Sequence, residues 1–558
     1  MKSPEYLISF DTNKLPSFIT DVLVIGSGMA GLRAAIESSK THNVILVSKN
    51  SLAECNTYYA QGGIASQIDK PKLVSSHIAD TIEHSYGLSD PHIVKEIIRR
   101  GIPLVRQLIS WGVKFDKKSD GPDMTREGGH KLARILHSGG DATGKNIEQT
   151  LLAKIQSIPN ITALDYTFVI DILTKSQRSP DRTQPFGQGL VQPPVGAGHG
   201  YFGAAPGKSA ECCGAIVYSP KTGQTSVIWA QKTIIASGGA GQIYRESTNP
   251  DVTTGDGLSI AYRKGAQLQD LEFMQFHPTA LYVAGASRLL ISESVRGEGG
   301  ILRDKSGKRF MPDYHPQAEL APRDIVSRAI INQMKLTKDT NVYLDLTHLS
   351  AAYIEKRFPS LSKLCRNFAI DVKKDMIPVR PSAHYLIGGI KIGLRGHTGI
   401  RNLFAAGECA SSSFHGANRL GSNSLLESLV IGSLAGATAS GEISSNKPIS
   451  PSHISYNGPL THPPSGRKQV RGTDLDLADI KNSLQSLMWY NVGLERNAAG
   501  LKQALAKIDY WSSYCLAQEF SNPQGWEVQN MLTLARLITQ SALLRQESRG
   551  VHYRTDFP

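Results

Sequence analysis

Unbroken apolar runs recur along the chain where strands covered on both faces would be expected. The first two are Asp21-Val-Leu-Val-Ile-Gly26 and Val44-Ile-Leu-Val47. Two later runs, Thr233-Ile-Ile-Ala236 and Leu403-Phe-Ala-Ala406, have the same character. Strands buried on both faces are typical of parallel sheets flanked by helices. The runs therefore predict an α/β protein.

Other segments have the 3.6-residue period of amphipathic helices. Asp90-Pro91 would begin one of them, with Asp90 as N-cap and Pro91 at the first helical position. The apolar positions of this helix and of two helices near the C-terminus are Ile93, Ile97, Val105 and Leu108, then Ile480, Leu484, Leu487 and Met488, then Leu501, Leu505 and Ile508. The last two sets predict a helical bundle at the end of the chain.

A glycine-rich turn follows the first apolar run directly. Gly26-Ser-Gly28-Met-Ala-Gly31 lies between that strand and a helix predicted over Ala30–Lys40, which is the context of a dinucleotide fingerprint. Gly28 would let the backbone approach a pyrophosphate, and Gly31 would let the helix pack closely on the strand. Ser48 and Lys49 stand where a ribose-binding acid would be expected. The fingerprint therefore leaves NAD, NADP and FAD open.

The composition indicates a globular protein that handles small anions. At about 150 residues per domain, 558 residues suggest two to four domains, and 40% are apolar. The net charge of +13 is compatible with nucleic acid, an anionic surface or an anionic substrate. Basic residues form no cluster of the kind that binds nucleic acid. An anionic small molecule is the better explanation of the charge.

Compartment and redox state can also be inferred. No apolar run is long enough for a membrane span, and Met1–Thr20 carries acids and Pro where a signal peptide has an apolar core. The six cysteines are scattered without CxxC spacing, so no iron–sulfur or zinc site is indicated. We therefore expect a cytoplasmic protein with reduced, mostly buried thiols and no bound metal.

The segment 180–209 contains seven Gly and five Pro. So many breakers predict a flexible surface insertion. Within it, Gly203–Ser209 imitates a phosphate-binding loop, but it is one residue short and no strand precedes it. We do not interpret it as a nucleotide site.

Short polar segments in apolar surroundings carry the candidate chemistry. They are Cys55–Gly63, Thr125–His130, Phe273–Thr279, Ser292–Gly300, Glu319–Asp324, Val379–Gly389 and Phe414–Glu427. Taken singly, Glu127 would be a solvated loop carboxylate, His277 a structural histidine, and Arg296 and Arg323 salt-bridge partners. Taken together, the segments favour one site.

With Ala60-Gln-Gly-Gly63 and these segments, the chain resembles the flavoprotein family of succinate dehydrogenase and fumarate reductase, from Asp21 to the C-terminus. The resemblance implies an α/β fold in which a Rossmann-type FAD-binding domain carries an inserted α+β capping domain and a C-terminal helical bundle domain. The implied boundaries are 1–270 for the first part of the FAD-binding domain (with the insertion at about 175–210), 271–385 for the capping domain, 386–445 for the second part, and 446–558 for a linker and the helical domain.

The resemblance implies FAD as cofactor. Its contacts are expected from Gly26, Ser27, Gly28, Met29, Ala30, Gly31, Ser48, Lys49, Asn56, Thr57, Tyr58, Tyr59, Ala60, Gln61, Gly62, Gly63, Ile170, Gly238, Gly239, Asp256, Glu408, Ser424 and Leu425. Membrane-complex members of the family attach FAD through a histidine just before the Ala-Gln-Gly-Gly motif. Asn56 stands there in this chain, so we expect non-covalent FAD.

The resemblance also implies a dicarboxylate site. Arg419 and His384 would hold one carboxylate, and His277 and Ser292 the other, with Ser422 nearby. Arg323 is implied as proton donor or acceptor and Glu293 with Arg296 as a relay to solvent. Because arginine is normally a poor base, electrostatic positioning is the better-supported role of Arg323.

Glu127 indicates which branch of the family this chain resembles. An aromatic residue occupies its place in the membrane-complex members, whereas a carboxylate there would face an α-ammonium group. We therefore expect oxidation of L-aspartate to iminoaspartate, with O2 (giving H2O2) or fumarate as acceptor, as the first step of quinolinate and NAD synthesis. Quinolinate synthase would receive the product. The chain departs from the family pattern in three features: Ser292 stands where threonine is usual, the net charge is basic, and the insertion at 180–209 is present.

Three other functions remain open from the sequence alone. A soluble fumarate reductase shares the carboxylate-binding residues, and Glu127 argues against it. The others are a flavin-binding module without chemistry and a subunit docked on an iron–sulfur partner.

Overall fold

The computed structural model describes residues 4–68, 73–118, 121–176, 198–202, 210–286, 289–444, 449, 451–458 and 475–558. Most of the predicted Gly- and Pro-rich insertion, including the loop-like stretch 203–209, lies outside these residues. So does most of the predicted linker, at 459–474.

The strands within the described residues are β1 (Phe10–Asp11), β2 (Ser17–Ile25), β3 (Val44–Val47), β4 (Ile64–Ala65), β5 (Lys117–Lys118), β6 (Gly121–Pro122), β7 (Met124–Thr125), β8 (Ile135–Leu136), β9 (Ile161–Leu164), β10 (Phe168–Ser176), β11 (Tyr201–Phe202), β12 (Ala210–Ser219), β13 (Gln224–Ile235), β14 (Leu268–Gln269), β15 (Met274–Leu281), β16 (Ile301–Arg303), β17 (Val342–Asp345), β18 (Ile377–Leu386), β19 (Gly389–Lys391), β20 (Leu403–Ala405), β21 (Ala410–Ser411) and β22 (Ser455–Tyr456).

The helices are α1 (Met29–Ser38), α2 (Val74–His84), α3 (Pro91–Ser110), α4 (Thr143–Gln156), α5 (Asp256–Arg263), α6 (Glu293–Gly297), α7 (Arg323–Thr337), α8 (Ala351–Arg357), α9 (Pro359–Arg366), α10 (Asn423–Gly441), α11 (Leu477–Asn491), α12 (Ala498–Cys515) and α13 (Pro523–Leu544).

The largest sheet has the strand order β10-β12-β13-β2-β3-β9, and β20 pairs with the end of β13. The strands β20, β13, β2, β3 and β9 are parallel, whereas β10 and β12 form an antiparallel extension. The four apolar runs of the sequence are thus neighbouring strands, and the predicted α/β class is confirmed.

Helices α1 and α10 lie on one face of this sheet, and their backbones pack very closely against each other. A Cβ on Gly432 would lie 2.5 Å from the Ala30 carbonyl oxygen, and one on Gly436 would lie 2.4 Å from that of Ala34. Only glycine fits at both points, so α10 can run directly over α1. This contact places the first turns of both helices at the same end of the sheet.

A second sheet, with the order β15-β18-β17-β16, is antiparallel. Helix α7 packs against β15 and covers an apolar core that includes Leu281, Val326, Ile330 and Val379. A smaller sheet has the strand order β11-β14-β19-β21, and its strands β14 and β19 come in sequence directly before β15 and directly after β18 of the second sheet. The implied domain boundaries stay predictions.

Helices α11, α12 and α13 contact one another, and α13 also packs on α5. This arrangement confirms the C-terminal helical domain. On α12, Leu501 and Ile508 are buried as predicted, whereas Leu505 is half-buried. Strand β22, within the predicted linker, pairs with β1 near the N-terminus.

Local sequence signals explain where some helices begin and end. Asp90 caps α3, accepting hydrogen bonds from the amides of His92 and Ile93. Helix α1 begins at Met29, one residue earlier than predicted, and ends at Ser38, two residues earlier than predicted.

All six cysteines are free thiols, and five are buried, in agreement with the prediction. Each helix in the described part of the chain is too short or too polar to cross a bilayer.

Candidate active site

A cavity of about 780 Å³ opens where the carboxyl ends of the parallel strands meet the second sheet. Gly26 follows β2, Ser48 follows β3 and Ala236 follows β13, and all three line it. His277 on β15 and His384 on β18 line the opposite part. The carboxyl ends of parallel strands are where ligands bind in open α/β sheets.

The N-terminus of α1 forms one end of the cavity. Its N-cap, Gly28, provides no side-chain cap, and the nearest atom to a Cβ built there is Thr57 Oγ1, at 3.3 Å. Gly31 lies beneath the turn, where a Cβ would stand 1.9 Å from the Gly26 carbonyl oxygen. The Met29 amide donates to Thr57 Oγ1 at 3.1 Å, and the remaining amides of the first turn face a site that can take phosphate.

Other groups around the cavity fit a flavin nucleotide. Gly238 has φ +77° and open space where a Cβ would lie. The Ser237 hydroxyl, which lines the cavity, is buried without a hydrogen-bond partner among the described residues. The first turn of α10 adds Ser424 and Leu425. An unpaired buried hydroxyl and an open backbone position at Gly238 fit a bound FAD.

An ion cluster stands at the position after β3 where an acid was expected. Lys49 Nζ donates to Asp256 Oδ2, Glu527 Oε1 and Thr254 Oγ1, each at 2.7 Å. Burial opposes its charge, but the two carboxylates outweigh this and raise the pKa of Lys49. The cavity wall thus receives its carboxylate from α5 rather than from the chain after β3.

Two neutral histidines face each other at the far end of the cavity. The rings of His277 and His384 are 5.2 Å apart, edge to face. Burial and then the neighbouring arginine charges hold the pKa of both well below the usual histidine range. His277 Nδ1 accepts from the Thr279 amide at 3.3 Å, so its proton is on Nε2. His277 is therefore a hydrogen-bond donor for an anionic ligand.

Gln275 aligns two arginines beside these histidines. Its Oε1 accepts from Arg323 Nη1 at 3.1 Å and from Arg419 Nε and Nη2 at 3.2 and 3.1 Å. Arg419 Nη1 also donates to Ser424 Oγ at 2.7 Å. Burial, followed by the charge of Arg323, lowers the pKa of Arg419 to about 10. Two adjacent guanidinium groups make this end of the cavity strongly attractive to carboxylates.

Glu293 lies between two arginines. Its Oε2 accepts from Arg323 Nε at 2.7 Å, and its Oε1 is 3.3 Å from Arg296 Nη2. Burial would raise the pKa of Glu293, but Arg323 and Arg296 outweigh it and lower the pKa to about 2. Arg296 also donates to the Glu319 carbonyl oxygen. Glu293 is thus an anion across the physiological pH range.

Glu127 is a buried carboxylate. Among the described residues, its two side-chain oxygens accept hydrogen bonds from hydroxyl groups. Its Oε2 accepts from Ser422 Oγ at 2.8 Å, and its Oε1 from Ser294 Oγ at 3.2 Å. No salt bridge of Glu127 occurs among the described residues. A buried carboxylate normally requires a cation or several donors. Glu127 is therefore prepared to receive a cationic group.

The structure brings most of the predicted site residues to this one cavity. Those lining it are Glu293, Arg323, Glu127, His277, Ser292, His384, Arg419, Ser422, Gly26, Ser27, Gly28, Met29, Ala30, Ser48, Lys49, Asn56, Thr57, Tyr59, Ala60, Gln61, Gly62, Gly63, Gly238, Asp256, Glu408, Ser424 and Leu425. Their individual roles stay predictions.

Five predicted residues do not line the cavity. Arg296 lies behind Glu293, and Gly31 behind the glycine turn. Tyr58 packs edge-on against Tyr59 at 5.4 Å, and Ile170 is buried within β10. Gly239 lies against Glu408, where a Cβ would be 2.2 Å from Oε1. These five residues lie behind the lining of the cavity, and their predicted contacts with a ligand stay predictions.

Sequence reasoning missed Gln275 and Ser294. Gln275 is a polar residue within the buried strand β15, which is a signal for a side chain that serves a site. Ser294 follows the N-cap Ser292, so a helix-capping role would have explained it without reference to Glu127.

The chain resembles known flavoproteins over nearly its whole length. Residues 21–425 match the family described as FAD binding domain, and residues 481–558 match fumarate reductase flavoprotein C-term. A solved variant of the E. coli quinol fumarate reductase has a TM-score of 0.81 and 29% identity, covering 97% of this chain and 92% of that chain.

Curated relatives are more similar in sequence. L-aspartate oxidase 1 of Ralstonia nicotianae is 38% identical over 96% of this chain and 95% of its own length. L-aspartate oxidase of Vibrio cholerae is 36% identical over 96% of both.

The fold, the cavity and these matches define a FAD-dependent oxidoreductase of the succinate dehydrogenase and fumarate reductase flavoprotein type. Within that class, the similarity to the curated relatives is nearly full-length. The chain belongs to the L-aspartate oxidase family.

Proposed function

We propose that the protein oxidises L-aspartate to iminoaspartate in a FAD-dependent reaction. One observation carries the proposal: Glu127 is a buried carboxylate without a cationic partner among the described residues, in a cavity that is also lined by Arg323, Arg419 and two neutral histidines. A dicarboxylate satisfies the arginines, and only a substrate that also bears an ammonium group satisfies Glu127.

The two carboxylates of the substrate are held at opposite ends. Arg419 and His384 bind one, and His277 and Ser292 bind the other. Each terminal nitrogen of Arg419 keeps a second hydrogen for a carboxylate, and its planar fork suits two parallel bonds. His277 offers Nε2–H because its Nδ1 is engaged by the Thr279 amide.

Bound FAD supplies the acceptor for the hydride that leaves Cα. The protein must orient Cα and receive a proton from the ammonium group. Arg323 lines the same cavity, is held by Glu293 and Gln275, and would act mainly by placing positive charge at the reacting carbons. Because Glu293 is ionised and lies between Arg323 and Arg296, it can pass a proton only transiently.

Reoxidation by O2 or fumarate would complete the cycle, and iminoaspartate would pass to quinolinate synthase in the cytoplasm. The family relationship and the anionic character of the substrate support this pathway role. A soluble fumarate reductase is the alternative. It would have no use for Glu127, since fumarate and succinate carry no ammonium group.

The test is anaerobic mixing of the purified flavoprotein with L-aspartate or succinate while flavin absorbance is recorded. L-aspartate should bleach the flavin and succinate should not do so at a comparable rate. Bleaching by succinate alone would identify the alternative, and bleaching by neither would contradict an oxidase.

A further inference from the structure

Ser294, the second residue of α6, contacts Glu127 from the side opposite to Ser422. Ser294 Oγ is 3.2 Å from Glu127 Oε1 and 3.2 Å from Ser292 Oγ, whereas Ser422 Oγ is 2.8 Å from Glu127 Oε2. Resting on the proposed function, we propose that Ser294 is a positioning residue that gives the site its selectivity for a dicarboxylate bearing an ammonium group.

The direction of these hydrogen bonds follows from the donor inventory. An ionised carboxylate only accepts, so Ser294 must give its single hydroxyl proton to Glu127. Its oxygen then accepts from Ser292 Oγ at 3.2 Å. When a substrate carboxylate binds Ser292, the Ser292 proton turns to that carboxylate, and Ser294 stays bonded to Glu127. Ser294 is therefore fully committed to Glu127, and each carboxylate oxygen of Glu127 receives one hydroxyl proton.

Fixing both oxygens matters because the guanidinium group of Arg323 lies close by. Around Gly421, Glu127 Oε2 and Arg323 Nη2 stand 2.9 and 3.3 Å from the point where a Cβ would lie. A Glu127 carboxylate freed on one side can turn toward Arg323 and pair with it. That pairing would withdraw Glu127 from the substrate ammonium group.

Ser294 does not line the cavity, and a carboxylate that binds Ser292 takes the Ser292 proton away from Ser294, so the effect of Ser294 on a bound substrate passes mainly through Glu127. Fumarate and succinate make no use of Glu127. Loss of the Ser294 hydroxyl must therefore affect L-aspartate much more than fumarate. A purely structural serine would affect both substrates equally.

The experiment uses the holoenzyme and the variants Ser294→Ala and Ser294→Thr, with Ser327→Ala as a matched control. Ser327 is also buried in this region, but its hydroxyl donates to the Phe276 carbonyl oxygen at 3.2 Å. Anaerobic rapid mixing with L-aspartate gives a Kd and a limiting bleaching rate. Fumarate reduction with a reduced dye gives KM and kcat.

Ser294→Ala should raise the Kd of L-aspartate about tenfold, as expected for a hydrogen bond to a charged group, and change fumarate reduction by less than about twofold. Ser294→Thr, which keeps the hydroxyl, should restore most of the affinity. In the Glu127→Gln background, Ser294→Ala should add little, because the two residues act as one unit.

Equal losses on L-aspartate and fumarate, an unchanged Kd, or full additivity with Glu127→Gln would overturn the role of Ser294. If the wild-type flavin is bleached normally, these results leave the proposed function intact. A wild-type flavin that L-aspartate does not bleach overturns the proposed function, and the role of Ser294 with it.

Discussion

Arg323 donates through Nε to Glu293 Oε2 at 2.7 Å, and Gln275 Oε1 accepts from its Nη1 at 3.1 Å. Two of the three guanidinium nitrogens are thus used to fix the side chain. Nη2 has no hydrogen-bond partner among the described residues and is free to meet a substrate. The ion pair with Glu293 therefore orients Arg323 and leaves one guanidinium nitrogen available for a substrate.

Replacing Arg323 should test this arrangement. Arg323→Leu removes the charge at the reacting carbons and leaves Glu293 with Arg296 alone. We expect kcat for both L-aspartate oxidation and fumarate reduction to fall by about 100-fold or more. Flavin absorbance of the purified variant is the control for cofactor binding. A variant that loses one reaction and keeps the other would show that Arg323 is not common to both.

Arg419→Lys keeps a positive charge but removes the planar fork. A lysine cannot reach both Gln275 and Ser424 while making two parallel bonds to a carboxylate. We expect kcat/KM for L-aspartate to fall by about 100-fold with FAD retained, measured by steady-state kinetics. Arg536→Lys on α13 is the matched control, because Arg536 donates to Asp509 and Gln540 and does not line the cavity, and it should behave as wild type. Near-normal kinetics in Arg419→Lys would remove Arg419 from carboxylate binding.

Cofactor attachment can be tested on the wild-type protein. Asn56 has no imidazole, and its amide is already engaged, donating to Glu408 Oε2 at 2.8 Å and accepting from Thr253 Oγ1 at 3.3 Å. Acid precipitation should leave the yellow colour in the supernatant. Colour that stays with the pellet would mean a covalent bond at another residue.

Glu408 predicts a specific pH dependence of stability. Burial raises its pKa to about 7 from the ordinary 4.5. Between these values the folded state binds more protons than the unfolded state, so stability declines as pH rises through this window. The decline amounts to at most about 3 kcal/mol.

The measurement compares Tm of flavin-free wild type and Glu408→Gln from pH 4.5 to 8. The variant lacks the titrating group, so the Tm difference should shift in its favour as pH rises from 4.5 and level off as pH approaches about 8. A Tm difference that does not change with pH would show that Glu408 does not titrate in this range.

Much of the fold was predictable because its determinants are local. The runs at Val22 and Val44 are apolar at every position, as two-sided burial requires, and they pair directly in the sheet. Asp90 and Pro91 announce a helix start by their own chemistry. The contact of Gly432 with Ala30 could not be predicted, since it depends on two helices being brought together by the sheet.

The same distinction between local and long-range determinants applies to the candidate site. Residues in recognisable motifs, such as Arg419, were found because the motif is contiguous. The pairing of Lys49 with Glu527 was not, because 478 residues separate them and neither has a local signal. Ser294 was missed for a different reason: its place next to an N-cap already accounts for a serine.

The central claim is that Glu127 discriminates L-aspartate from unsubstituted dicarboxylates. The most direct test is Glu127→Gln. This substitution keeps the side-chain shape and one accepting oxygen, which can bond either Ser422 or Ser294, but it removes the negative charge. Anaerobic assays would measure L-aspartate oxidation and dye-driven fumarate reduction on the same preparation. The account predicts a loss of about 100-fold in kcat/KM for L-aspartate and little change for fumarate. Equal loss of both activities would show that Glu127 is structural and would contradict the account.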